Sequence, residues 1–350
     1  MTQSTQRILI AGDGLAGALV AWELQLRGVD FVQWSDGSPA ASSVAAGMFN
    51  PVSFRRILPQ WDAADHQKEA RNRFQLIGRA LDCTLWHDVP ILRIFPDEAY
   101  AKLWQERAQG GHEVSPFIEC LDDEELHPSI DAPHGAGIVR DAGWVDVNAF
   151  IEGSRSRWQE LGQWFQRPWS VEMGLPSGFT QVVDCRGVGA VEDLAQFGLE
   201  LRRNHGEVLR MRPSSDWGEM TVNNVTWALP LGDGTFRVGS TYRWDTHEPV
   251  LRPETPDELI TSVCRVRKSG GAPELLEHQA GLRPSCFDRR PILGRVSSHH
   301  PYYFVCTGWG TRGVSIGPTM VRWLVDALVG LEKEVPDEVH PKRFPTFTEN

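Results

Sequence analysis

The first 35 residues constrain the fold more than any other stretch of the chain. Ile8-Leu9-Ile10-Ala11 is a short, unbroken apolar run, the pattern of a parallel strand buried on both faces. It leads directly into Gly12-Asp13-Gly14-Leu15-Ala16-Gly17. Leu15, Leu19, Val20, Trp22, Leu24 and Leu26 then supply the apolar face of a helix that Gly28 stops. Phe31-Val32-Gln33-Trp34 predicts a second strand. Strand, glycine turn and helix in this order are the context in which GxGxxG means a dinucleotide site. Gly12 permits the tight turn, Gly14 lets the backbone approach a pyrophosphate, and Gly17 allows close helix–strand packing. The helix N-terminus, with Leu15 and Ala16, favours the anion. An acid that binds ribose normally closes the second strand, but here Ser35 stands at that point and Asp36 follows it. Asp36 is expected to take the role from a shifted position. Ser35 or a water is the alternative, and Asp36 as a plain turn residue in Asp-Gly-Ser-Pro is the structural one.

Beyond this unit the pattern alternates. Residues 40–59 read as a loop wrapped around something, and 62–82 and 97–109 as helices. Asp146 or Asn148 can cap a helix running to Trp158, and Gln181–Cys185 reads as a buried strand. From Gly206 to Trp244 the signals become antiparallel, with strands at 207–211, 225–229 and 235–239. A strand at 303–306, a glycine-rich loop and a helix from Val314 to Val329 restore α/β character, and residues from Glu334 read as a tail. The expected fold class is therefore α/β: a Rossmann-like nucleotide-binding domain (1–88, 141–203 and 281–350) interleaved with an antiparallel-sheet α+β substrate domain (89–140 and 204–280).

Composition narrows the function. With 35 basic against 46 acidic side chains the net charge is −11, which argues against a nucleic-acid partner. The six cysteines show no CxxC and no metal-ligand spacing, so no metal is expected and free buried thiols in a reducing compartment are. No secretory signal and no membrane span are visible, and a cytoplasmic location is the expectation. The fourteen tryptophans are expected mainly in cores and interfaces.

Several further segments carry a family resemblance. They are Ala41–Pro51, Gly143-Trp-Val-Asp146, Val182–Gly187, Val238-Gly-Ser-Thr-Tyr242, Ala280-Gly-Leu-Arg-Pro284 with Pro291-Ile-Leu-Gly294, and Thr307–Pro318. In order and spacing they resemble the FAD-dependent D-amino-acid oxidase superfamily, which includes glycine oxidase. The resemblance implies non-covalently bound FAD as cofactor. It also implies that Ser42, Ser43, Ala46, Gly47, Met48 and Asn50 meet the flavin, that Gly187 lies near the adenosine, and that Gly308, Trp309, Gly310, Thr311, Arg312, Gly313 and Val314 follow the pyrimidine edge. Glycines there would let backbone N–H groups reach the negative charge of a reduced flavin. No second nicotinamide fingerprint is visible.

The implied reaction is oxidation of a C–N bond in a small amine or amino acid, by hydride transfer to flavin and with dioxygen as acceptor. Arg283 is the candidate for holding a substrate carboxylate, because a guanidinium fork suits that anion. Tyr242 and Trp244, two residues apart on an expected strand, would share a face above the pocket, and Trp309 would flank it. Asn50 to Arg56 forms a second basic element, and Arg55 and Arg56 are open to a phosphate, a substrate acid or solvent. Two alternatives remain at this point. One is the oxidase half of the bifunctional enzyme that builds methylaminomethyl-uridine in tRNA, because Trp34–Ala40 resembles its loop and its substrate is also an amine with a carboxylate. The other is a flavin dehydrogenase that passes electrons to a quinone or protein. Sequence leaves the oligomeric state open.

Overall fold

The computed structural model describes residues 6–347 except 123, 125, 269 and 333. The opening unit forms as its pattern predicts: strand β1 (Arg7–Ala11), helix α1 (Leu15–Arg27) and strand β2 (Asp30–Ser35). Gly28 closes α1 in the left-handed conformation, φ 67°, a region that costs glycine nothing. Ile8, Leu9 and Ile10 are wholly buried, as a central parallel strand requires.

Among the described residues, one six-stranded sheet runs in the order Trp164–Gln166, β2, β1, Gln181–Asp184, Tyr303–Thr307, Ile292–Arg295. Its pairings are parallel except at the Ile292–Arg295 edge. An eight-stranded sheet takes strands from two separate stretches, Ile91–Val139 and Arg202–Ser285. Its longest members, Arg202–Arg212 and Glu274–Ser285, pair antiparallel along nearly their whole length. The second of these runs on past residue 280, where a domain boundary was expected, and Ser285 bridges Trp309, just beyond the strand Tyr303–Thr307. A small sheet of Met48–Phe49, Gly143–Val145 and Trp86–Asp88 fills the space beside α1.

The helices at Ala63–Ala80 and Glu98–Ala108 match the expected spans to within two residues. Asp146 caps the helix Val147–Glu160 by accepting the Ala149 N–H at 2.9 Å. Residues 40–59, expected as a loop, contain a one-turn helix at Ala41–Val44 and short strands. The expected tail is not loose. Val339 is fully buried, its carbonyl accepts the Leu293 N–H, and Arg343 pairs with Asp288 at 2.8 Å. Periodicity reads proline and charge as solvent-facing, but here they cover the edge strand Ile292–Arg295. Of the six cysteines, all free, Cys185, Cys286 and Cys306 are buried, whereas Cys83 and Cys120 are exposed. Among the described residues, no helix is long and apolar enough to cross a membrane.

Candidate active site

A cavity of about 570 Å³ lies between the two large sheets, with the Gly12–Ala16 turn at one end and Arg283 and Tyr242 at the other. Its nucleotide end is made of backbone. At Gly12, φ is +104° and a Cβ would stand 2.7 Å from the Cys185 carbonyl, so only glycine turns there. Gly17 does not reach the cavity. Its Cβ would meet the Gly12 carbonyl at 2.0 Å, which makes it the packing glycine of the motif. α1 begins at Gly14 with no side-chain cap, and only the Leu15 N–H is taken, by Ser42 Oγ at 3.0 Å. With Gly14, Leu15 and Ala16 on the cavity wall, this uncapped helix start suits a pyrophosphate.

Asp36 lines the cavity, but its Oδ1 accepts the Ser38 N–H at 2.8 Å, the geometry of the plain turn residue. Ser35 donates to Asp13 Oδ1 at 2.6 Å instead. Gly187 lines the cavity, together with residues that patterns did not mark. Arg167 lies 4.1 Å over the Trp34 ring. Arg186 is tied to Asp184 and Asp193, and these carboxylates raise its pKa despite the opposing effect of burial.

The middle of the cavity is lined by Ala46, Gly47 and Met48. Gly47, at φ +70°, passes so close to the Val145 carbonyl that a Cβ would stand 2.0 Å from it. Two neighbours turn away. Ser43 is exposed and bonds the Ala40 carbonyl, and Asn50 spends its side chain on the Val52 N–H at 2.9 Å. Arg55 and Arg56 are exposed and lie off the cavity.

The helix Gly313–Leu328 also starts without a side-chain cap and presents Gly310, Thr311, Gly313 and Val314 to the cavity, beside Gly308. Two of its glycines serve packing as well. A Cβ on Gly313 would strike Leu15, and one on Gly317 would strike Leu19 and the Trp309 ring. Trp309 is thus both a wall of the cavity and part of the core between the two helices. Arg312 was expected at the flavin edge. Its guanidinium instead bonds the Arg289 carbonyl, and burial, then Arg290 and Arg289, lower its pKa. Arg312, Asn50 and His66 line a second, very small cavity behind this turn.

At the far end, the long strand pair brings Arg283 opposite Asn204. Arg283 Nη1 donates to Asn204 Oδ1 at 3.0 Å and to the Thr241 carbonyl at 3.4 Å. The guanidinium stacks on Tyr242 at 4.8 Å and lies flat over Gly206, where a Cβ would be 2.2 Å from Nη1. Burial lowers its pKa, and among the described residues no carboxylate pairs with it. Tyr242 lines the cavity, but Trp244 does not: it is 58% exposed. Alternation fails because the strand ends at Gly239, before either aromatic. Gly206, a glycine inside a strand, was a visible signal of close approach that pattern reading passed over.

The fold, the two uncapped helix starts and the glycine-edged cavity define a nucleotide-dependent oxidoreductase, and the donor set fits FAD: pyrophosphate at α1, ring edge at Gly310–Val314. The sequence pattern described as FAD dependent oxidoreductase matches residues 7–327, and the chain belongs to that family. Among curated proteins, glycine oxidase from Pseudomonas aeruginosa is 24% identical, over 94% of this chain and 96% of its own length. The tRNA 5-methylaminomethyl-2-thiouridine biosynthesis bifunctional protein MnmC of Chromohalobacter salexigens is 22% identical over 97% of this chain, which spans only 56% of that protein. Among solved structures, iminodiacetate oxidase from Chelativorans sp. BNC1 superposes with a TM-score of 0.78 at 20% identity, covering 97% of this chain and 98% of its own. L-proline dehydrogenase from P. horikoshii gives 0.77 at 15% identity, with 97% of each chain covered. At such identities the superpositions speak for the fold.

Proposed function

We propose that this FAD-dependent enzyme oxidises the carbon–nitrogen bond of a small amino acid or N-substituted amino acid, with dioxygen as electron acceptor. The observation that carries the reading is Arg283, a part-buried guanidinium without a carboxylate partner, held flat over Gly206 at the end of the cavity away from the nucleotide turn. A buried cation left unpaired costs several kcal/mol, and a bound carboxylate removes that cost through a bidentate contact. FAD, when bound, supplies the hydride acceptor.

The rest is the work of the chain. Arg283 fixes the carboxylate, and Asn204 and the Thr241 carbonyl fix Arg283. Met48 and Trp227 line the space between this anchor and the nucleotide end, where they orient the α-carbon and exclude water. The acidic residues on the cavity wall are each engaged: Asp13 with Arg155, Asp36 with the Ser38 N–H and Glu192 with Arg203. An amine that binds neutral needs no side chain as general base.

The relatives support this class. One is an oxidase named for glycine, another is named for iminodiacetate, and both match nearly the whole chain. The tRNA-modifying reading rests on the relatives of the second kind and is opposed by the net charge of −11.

Anaerobic mixing with glycine, sarcosine, D-amino acids, L-proline and larger N-alkyl glycines tests the proposal, read as bleaching of the visible flavin band. At least one carboxylated amine bleaches it, and air restores the colour with peroxide. Bleaching by none, with FAD bound, removes the substrate class. Slow recovery in air replaces dioxygen with a quinone or protein acceptor.

A further inference from the structure

The family fingerprint calls for an acid at the end of the second strand, and this chain has Ser35 there. We infer that Asp13, the variable residue inside the glycine turn, is the relocated acid that binds the adenosine ribose of the dinucleotide, with Ser35 as its support.

The geometry is specific. Asp13 lines the cavity beside Ser35 and is only 10% exposed. Its two oxygens are used unequally. Oδ2 accepts three donors: Arg155 Nε at 2.8 Å, Arg155 Nη2 at 2.7 Å and Trp164 Nε1 at 3.2 Å. Oδ1 accepts one, the Ser35 hydroxyl at 2.6 Å. A carboxylate has about four lone-pair sites, two on each oxygen, so Oδ2 is saturated while Oδ1 keeps a lone pair. Arg155 and Trp164 thus fix the plane of the group and offset its charge, and Oδ1 remains for a hydroxyl donor.

Ser35 is the weaker acceptor: its proton goes to Asp13, and its uncharged oxygen already accepts the Gly37 N–H at 3.2 Å. Asp36 is the exposed competitor: its Oδ1 accepts the Ser38 N–H, and among the described residues no partner fixes its carboxylate as Arg155 and Trp164 fix that of Asp13. A ribose has two free hydroxyls in this half of the dinucleotide, and either can donate to Oδ1. The hydrogen bond is charge-assisted, so losing it weakens binding about 10- to 100-fold.

This inference rests on the FAD assignment, and the experiment separates the two. Apoprotein is loaded with FAD, and displacement by ADP, 2′-deoxy-ADP and 3′-deoxy-ADP is followed by flavin fluorescence. In the native chain one deoxy sugar binds about 10-fold or more weaker than ADP. In Asp13→Asn, ADP falls to the level of that deoxy analogue and the two bind within about twofold. Asp36→Ala keeps the native discrimination. Arg155 is 40% exposed and returns to water when unpaired, and the pair Asp13→Ala with Arg155→Ala repeats the test without a lone charge. Full discrimination in both Asp13 variants, or its loss in Asp36→Ala, overturns the assignment while leaving FAD in place. A chain that takes up no FAD at all removes both.

Discussion

The two ends of the cleft are built by different means. At the nucleotide end the contacting groups are main-chain N–H groups and glycine edges, set within one continuous turn between β1 and α1. At the proposed substrate end they are side chains 79 residues apart, Arg283 and Asn204, brought together by antiparallel pairing. A backbone site tolerates little change because its shape is the fold itself. A side-chain site is altered by one residue without disturbing the frame, and the same fold occurs in proteins named for different substrates.

The strongest break in this contrast is Gly17→Val. Its Cβ must enter the Gly12 carbonyl, now 2.0 Å away, so the variant is expected to purify colourless, with flavin per chain reduced more than about tenfold. A yellow, fully loaded Gly17→Val protein would mean that the turn does not hold the cofactor. Next comes Arg283→Lys, which keeps the charge but loses the planar fork. Its Michaelis constant for carboxylated amines should rise about tenfold with flavin content unchanged, and steady-state kinetics check it. An unchanged constant would make the site a simple positive charge.

Smaller in effect is His66, behind the helix turn at 313. Burial lowers its pKa to about 4, with Arg312 and Arg290 adding to the effect and Asp62 and Asp65 opposing it. The unfolded histidine binds a proton below about pH 6.5 while the native one stays neutral, so stability is full above that pH and falls on acidification towards 4. The melting temperature should drop by a few degrees over this window, and His66→Gln should flatten that part of the profile. An identical profile in the variant would assign the acid sensitivity elsewhere. Last, Trp244→Ala is expected to change the Michaelis constant less than about twofold, because the indole is exposed and off the cavity. A large change would place it over bound substrate.

The same contrast explains what could be read from the chain. A local turn has a local signature, so Gly12, Gly14 and Gly17, the cap at Asp146 and the stop at Gly28 were all visible in short windows. Contacts that depend on where a strand ends were not. Trp244 was paired with Tyr242 by alternation, yet regular pairing stops at Gly239. Asn50 and Arg312 sit in segments adjoining the cavity, but their side chains satisfy neighbouring backbone groups. Asn204 went unmarked because its purpose appears only once a strand 79 residues away lies against it.

The central claim is that Arg283 anchors a substrate carboxylate over an otherwise intact FAD site, and Arg283→Ala tests it most directly. Steady-state kinetics on one amino acid that bleaches the native flavin, beside the corresponding amine without its carboxylate, give the answer. The account predicts that the variant keeps its flavin, loses about 100-fold in kcat/KM for the amino acid and changes little for the bare amine. Equal kcat/KM values for the amino acid in the native and variant proteins would contradict it.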